Sequence, residues 1–441
     1  MGDARREGSG RDARRGAVGV GTDARRAGRS GRWRGPVGFG AFGLGALVPG
    51  FVFGLLLLGG PPSAHAQGAG QPAPGPEADY WVYVGAESDD TVHRIRFGPE
   101  GIRVERTISV GINPTETEGP HGLQVSPDGR YLYMTTGHGT PDGMLWKYEL
   151  GPDTLVAGPT RLGRFPASLD VTPDGLFVFV ANFNLYGRHV PSTMSAAFGP
   201  ELYEIEQIEL CVMPHGARSD PWGSRVYTVC MMDDQLVEVD ARNFEVARRF
   251  SVAQGREGPL PVDPSGHDHH GHAPAADHHD EHEATCSPTW ATPSPDGSRV
   301  WVACNRADQV LEVDVEDWVL VRTFESGRGP YNLDVTPDGR ILVATLKQGN
   351  AVEFIDLESG ESLARTPTST TVVHGVTISP DGRYAFVSVE GVGQEPGKVD
   401  VFDLETLERV ADVPIGRQAS GITFWRMDGA RASPGRGSGN P

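Results

Sequence analysis

The sequence predicts an all-β protein: a seven-bladed β-propeller of four-stranded antiparallel blades, its ring closed by N-terminal strands that join the last blade. Three observations predict it. A turn of the form Ser/Thr-Pro-Asp-Gly recurs at 126–129, 172–175, 294–297, 336–339 and 379–382, with DPWG at 220–223 and RMDG at 426–429 as variants. The intervals run from 42 to 48 residues apart from one of 74, and self-similarity at such a period marks a repeat architecture. Short runs of β-branched and aromatic residues flank every turn, the pattern of strands rather than helices.

Each unit follows one order. A first apolar run (GLQV, SLDV, NLDV, GVTI, GITF) precedes the turn and a second (YLYMTT, LFVFVA, RVYTVC, RVWVAC, ILVATL, YAFVSV) follows it. Proline presets φ and glycine takes the positive-φ position, so the turn makes a tight hairpin. A third run alternates and ends in aspartate (QLVEVD, QVLEVD, AVEFID, KVDVFD), and a fourth is looser (FEVARRF, WVLVRTF, LERVADV). Four short strands per unit make a propeller blade. The last first strand, ASGITFW, has no partners after it, whereas residues 80–109 read as strands two to four of a blade. Joining the two closes the ring and leaves no open sheet edge.

The units PDGR-YLYM, PDGS-RVWVACN and PDGR-YAFVSV, with their Val-x-Asp third strands, resemble the YVTN-type repeats of exported bacterial propellers, a lactonase-like group. The resemblance covers roughly residues 79–425. It implies the fold; for function it implies only a range, because this fold hosts lactonases, redox domains and binding scaffolds alike.

The segments outside the repeats have their own character. Residues 1–36 are rich in Arg, Gly and Ala, and residues 37–60 are apolar and uncharged. Ala64-His65-Ala66 then has the small-x-small form of a signal-peptidase site, so residues 1–66 read as a leader cleaved after Ala66. The alternative is an uncleaved membrane anchor over 37–60, which is long enough to span. A Pro/Gly linker (67–78) follows, then one propeller domain (79–428) with an insert at 264–284, and a disordered tail (429–441). The chain carries a formal net charge of −19. The leader holds far more arginine than acid, so what remains after cleavage is more acidic still. Such a balance argues against nucleic acid, whose binding rests on cationic phosphate contacts, and against an anionic membrane surface. It suits a soluble periplasmic or secreted monomer that takes a transition metal, a small molecule or a protein at one face. No CxxCH haem motif and no Walker loop is present, so neither haem nor nucleotide is expected.

The functional residues gather at one end of the strands. Cys211 and Cys230 flank DPWG, and Cys286 and Cys304 flank SPDG of the next unit, so all four belong at the face opposite the turns. Two readings follow: a pair of disulfides, each within a blade, as an oxidising compartment permits, or a thiolate and thioether site with Met213, Met231 and Met232 that would suit Cu(I). At the start of the seven first strands the equivalent residues are His121, Ala167, His215, Thr289, Tyr331, His374 and Ser420. The three histidines are spaced around the axis, and convergent imidazoles with an open position bind zinc or copper. His138 and Glu390 follow second strands and belong at the same face; Glu390 and Asp233 are candidate bases if the site is catalytic. Against this, the histidines share parity with buried residues (His121, Leu123, Val125; His374, Val376, Ile378), which would turn them between blades as packing. The acidic pairs Asp89–Asp90 and Asp233–Asp234 read first as turn formers. The insert carries His267, His269, His270, His272, His278, His279 and His282, a composition that binds divalent cations loosely or is simply a polar loop. A second insert is expected at 182–200, between strands two and three of its blade.

Overall fold

A computed structural model describes residues 75–139, 142–258 and 284–429. The proposed leader, the 37–60 segment, the 266–283 histidine tract and the tail from 430 lie outside the described residues. Within them, seven antiparallel sheets form a ring. Blade one runs Pro120–Val125, Tyr131–Thr136, Met144–Glu149, Thr154–Arg161, and blades two to six repeat that order. The closing blade takes its inner strand, Ala419–Asp428, from the C-terminal end, and Asp79–Ala86, Thr91–Gly98 and Gly101–Ser109 from the N-terminal end. The only helical element among the described residues is a 3-10 turn, Glu87–Asp89. None is a helix long and apolar enough to cross a membrane.

The core is a set of inter-blade layers, because each sheet buries both faces against its neighbours. Tyr80, Val82, Ile95 and Phe97 of the closing blade meet Tyr384, Phe386, Val399 and Val401 of blade six. Full burial of such side chains is worth about 1.5–3 kcal/mol each, so the two chain ends are sealed by packing as well as by the ladder. Tyr80 adds a hydrogen bond to Asp381 at 2.7 Å.

Two details of the ring position everything at its mouth, the face opposite the Pro-Asp-Gly turns. Every first strand is preceded by a left-handed residue: Gly119, Phe165, Met213, Ser287, Gly329, Val372 and Gln418, with φ between +47° and +65°. Pro follows in five of the seven. A register shift then interrupts each first strand within the next few residues. Such a bulge re-aims the side chain beside it. The parity argument from sequence therefore fails here: Leu123 and Val125 enter the inter-blade core, while His121 is turned to the axis.

The blades are also latched to one another. The residue closing the hairpin between strands two and three is left-handed Asp90, Asp234, Asp308 or Asn350 in four blades. Each accepts backbone N–H groups at the start of the following blade: Asp90 from Glu118 and Gly119, Asp308 from Gly329, Asn350 from Val372. Asp234 accepts from Thr285 and Ser287, at 2.6 and 2.8 Å.

Both disulfides form, Cys211–Cys230 and Cys286–Cys304, which removes every thiolate from a metal-site reading. The first joins two blades rather than lying within one. Cys211 belongs to the outer strand of blade two, Tyr203–Val212, and the left-handed Met213 turns the chain into blade three only after it. The second insert is also shorter than expected, since Pro191–Phe198 is strand three of blade two and only 183–190 is loop. Blade three gains a short fifth strand, Arg256–Glu257.

The latches give a test. Asp234→Ala strands several N–H groups of a buried turn and should lower the unfolding free energy by roughly 2–4 kcal/mol. Asp233→Ala removes the acceptor of one N–H, that of Val212, and should cost less than half as much. Denaturant midpoints of the two variants check the order.

Candidate functional site at the axial mouth

The bulged strand starts aim one residue per blade at the axis. His121, His215 and His374 are buried there, with Tyr331 from blade five among them. The ring centroids of His121 and His374 are 5.4 Å apart, and those of His121 and His215 6.5 Å. The Tyr331 hydroxyl lies 3.2 Å from Nε2 of His215 and 3.5 Å from Nε2 of His374. Glycine follows each histidine for a steric reason. A Cβ at Gly216 would stand 2.8 Å from the Thr289 carbonyl oxygen of the next blade.

The imidazoles are oriented by backbone. His215 Nδ1 donates to the Thr289 carbonyl at 2.7 Å. The Nδ1 atoms of His121 and His374 face the backbone of Ala167 and Ser420 without a bond of normal geometry. With its proton on Nδ1, His215 keeps the Nε2 lone pair, the arrangement that metal-binding histidines adopt. Burial pushes the pKa of all three down, His215 to about 3, with the neighbouring histidines and Lys347 adding to the effect. They are neutral at neutral pH.

A carboxylate completes the cluster. Glu87, in the 3-10 turn of the closing blade, is buried with one oxygen 3.8 Å from His121 Nε2. Glu87, His121 and His374 offer donor atoms that all lie within 4.8 Å of one another. A tetrahedral ion at about 2.0–2.1 Å from each donor needs donors roughly 3.4 Å apart, so modest ring tilts would close the set. The other Glu87 oxygen accepts from His138 Nε2 at 2.7 Å and from Gln418 Nε2 at 3.0 Å.

The remaining predicted residues fall on either side of this cluster. His138 is beside it, but both its nitrogens are engaged, Nδ1 with the Tyr186 hydroxyl at 2.7 Å. It orients Glu87 instead of facing the ring. Glu390 is bound to Lys347 at 2.8 Å. The Lys347 ammonium sits 4.1 Å from the centre of the Tyr331 ring. Burial opposes its charge, but Tyr331, Glu390 and Glu87 outweigh that and raise its pKa. Asp233 holds the Val212 N–H at the disulfide corner. Met213 and Met231 pack against Phe165, Ala167 and Phe183.

Below the histidines the axis holds a small cavity of about 20 Å³ lined by His121, His215, His374, Arg218, Trp290 and Asn332, room for a single water. Deeper still, residues three positions past the ring are polar in all seven strands: Gln124, Asp170, Arg218, Thr292, Asp334, Thr377 and Thr423. Asp170 and Asp334 accept the N–H groups of Ser219 and Ile378 in the next blade. Burial raises the pKa of both, Asp334 to about 6, with Arg218 opposing the rise.

No family model matches the chain, so the YVTN-type resemblance rests on the repeat units. The chain is distantly similar to curated lactonases. It is 22% identical to a 6-phosphogluconolactonase of Yersinia pestis over 351 residues, 76% of this chain and 95% of that one. With that of Serratia proteamaculans it shares 20% over 347 residues, 76% and 96% of the two chains. Among solved structures, a putative 6-phosphogluconolactonase of Bacteroides fragilis superposes with a TM-score of 0.59 at 16% identity, covering 78% of this chain and 98% of that one. A Kuenenia stuttgartiensis hydrazine synthase chain superposes at 0.53 with 19% identity, covering 71% and 91%. At these identities the superpositions establish the propeller.

The buried imidazoles make one consequence measurable. His215 has a folded-state pKa below its unfolded value near 6.5, so its contribution is complete above that value and is lost as pH falls toward about 3. The melting-temperature difference between wild type and His215→Gln should therefore shift in favour of the variant between pH 7 and pH 5. Parallel thermal melts at the two pH values check it. The raised carboxylates Asp170 and Asp334 slope the other way, which is why the difference between variants is the quantity to follow.

Proposed function

We propose that this chain is a metal-binding propeller whose axial mouth holds one divalent first-row ion, zinc by preference, through His121 Nε2, His374 Nε2 and one oxygen of Glu87. A single observation carries the reading: three donors from three different blades, every pair within 4.8 Å, converge where the imidazoles are neutral. His215 and Tyr331 back the cluster from blades three and five. With all four cysteines in disulfides the donor set is nitrogen and oxygen, which suits zinc and disfavours Cu(I). The disulfides fit an oxidising extracytoplasmic compartment, in keeping with a periplasmic or secreted protein cleaved after Ala66. The histidines from 267 to 282 would collect ions loosely, next in sequence to the blades that form the mouth.

A second reading is favoured by one observation, the similarity to 6-phosphogluconolactonases over nearly their full length. In it the same centre is catalytic. A bound ion would polarise a carbonyl or lower the pKa of a water, and the Lys347–Glu390 pair beside Tyr331 would steer a polar substrate.

The test is zinc binding by metal-stripped, untagged protein whose seven loop histidines are replaced by alanine. One tight site per chain is expected, weakened at least about 100-fold in His374→Ala with the melting temperature of the apoprotein little changed. Absence of any tight site would overturn the proposal. Lactone turnover that disappears with the metal would select the second reading over the first.

A further inference from the structure

Three connections at the mouth are longer than their counterparts. Strands two and three are joined by four residues in the closing blade and in blades three, four and five, but by 137–143 in blade one, 183–190 in blade two and 390–397 in blade six. The first carries His138 and the second carries Tyr186. Tyr186 is 69% exposed, yet its hydroxyl is 2.7 Å from His138 Nδ1. Its ring stands edge-on to Phe165, which in turn stands edge-on to His138 and His121.

The loop that presents Tyr186 is a built turn. Asn184 is left-handed, its side chain donates to the Arg188 carbonyl at 3.1 Å, and the Gly187 N–H donates to the Asn184 carbonyl at 3.0 Å. A Cβ at Gly187 would collide with the Asn184 amide at 2.0 Å. The turn therefore depends on glycine at that position.

We propose that Tyr186 is a positioning residue that fixes Glu87 as a one-oxygen ligand by pinning the ring of His138; this rests on the metal-binding reading above. A carboxylate only accepts, so His138 Nε2 donates to Glu87 at 2.7 Å, and the tyrosine hydroxyl at Nδ1 holds the far side of the same ring. That oxygen is then occupied by His138 and Gln418, and the other is left facing His121. Without the hydroxyl the ring is held at one nitrogen only and is free to turn about its Cβ–Cγ bond, and Glu87 would lose the fixed donor that aims it. Groups that orient a ligand in this way are worth 10–100-fold in metal affinity. Because the tyrosine rides on an exposed loop, whatever displaces that loop also loosens the ion.

The experiment is a double-mutant cycle on the full-length protein, with zinc affinity measured by chelator competition and cobalt substitution followed by its visible absorption bands. Tyr186→Phe keeps the ring on Phe165 and removes the hydroxyl. It should weaken zinc 10–100-fold and alter the cobalt bands, with the melting temperature of the apoprotein unchanged. In a His138→Gln background the glutamine amide donates to Glu87 without help, so adding Tyr186→Phe should change nothing. Wild-type affinity in Tyr186→Phe would overturn the proposal. So would an equal loss in both backgrounds, which would mean that the tyrosine acts through packing alone. A wild-type protein that binds neither zinc nor cobalt would overturn the metal reading, and this proposal with it.

Discussion

The structure depends on how each first strand begins. A left-handed residue, usually a proline, one axial side chain and then a bulge recur in all seven blades. The left-handed turn brings the chain in from the outer strand of the preceding blade, and the bulge prevents the axial residue from joining the alternation that feeds the inter-blade core. Val372 shows how firmly this is imposed, because a β-branched residue is held at φ +65° just before His374. Backbone of that kind is strained for valine, and it is tied down by the N–H bond to Asn350. Given seven such starts, the chemistry of the mouth reduces to which seven residues occupy them. Three histidines and a tyrosine come from blades one, three, five and six, with the smaller Thr289 and Ser420 from blade four and the closing blade.

Burial then decides what those groups are. An imidazole without water around it is neutral unless a carboxylate holds its proton, and the Lys347 ammonium nearby adds to the depression. Neutral imidazoles crowded around an axis are poorly satisfied: Nδ1 of His121 and of His374 lacks a bond of good geometry. An ion on the Nε2 side would draw these rings into place. Apolar residues at the same seven positions would pack the axis more simply, so the buried imidazoles cost stability where they stand.

Much of this was legible in the sequence, and the limits have physical causes. The turn period gave the blade number and the missing partners of ASGITFW gave the closure, because hairpin chemistry and strand alternation are local. The same alignment put His121, His215 and His374 at one level of the ring. Glu87 was missed because it reaches the cluster through closure: it lies 34 residues before His121 in sequence, in the turn of a blade whose inner strand comes from the other end. Asp89 and Asp90 drew attention in its place, and Asp90 is a latch. The direction of the histidines was ambiguous because parity holds only in an unbroken strand. Glycine after His121, His215 and His374 was the available signal of a bulge. Cys211 was assigned to the wrong blade because symmetry about a turn counts residues without knowing where the chain changes direction, here at Met213. Glu390 and Asp233 were placed at the right face as acids, but their partners, Lys347 and the Val212 amide, depend on packing.

Anomalous diffraction from crystals of the full-length protein grown with zinc, collected on both sides of the zinc edge, addresses the central claim most directly. The account predicts one strong anomalous peak on the propeller axis, within about 2.0–2.2 Å of His121 Nε2, His374 Nε2 and a Glu87 oxygen, with His138 still bonded to the other Glu87 oxygen. An axis without anomalous density, with the three histidines hydrogen-bonded only to backbone and Tyr331, would contradict it.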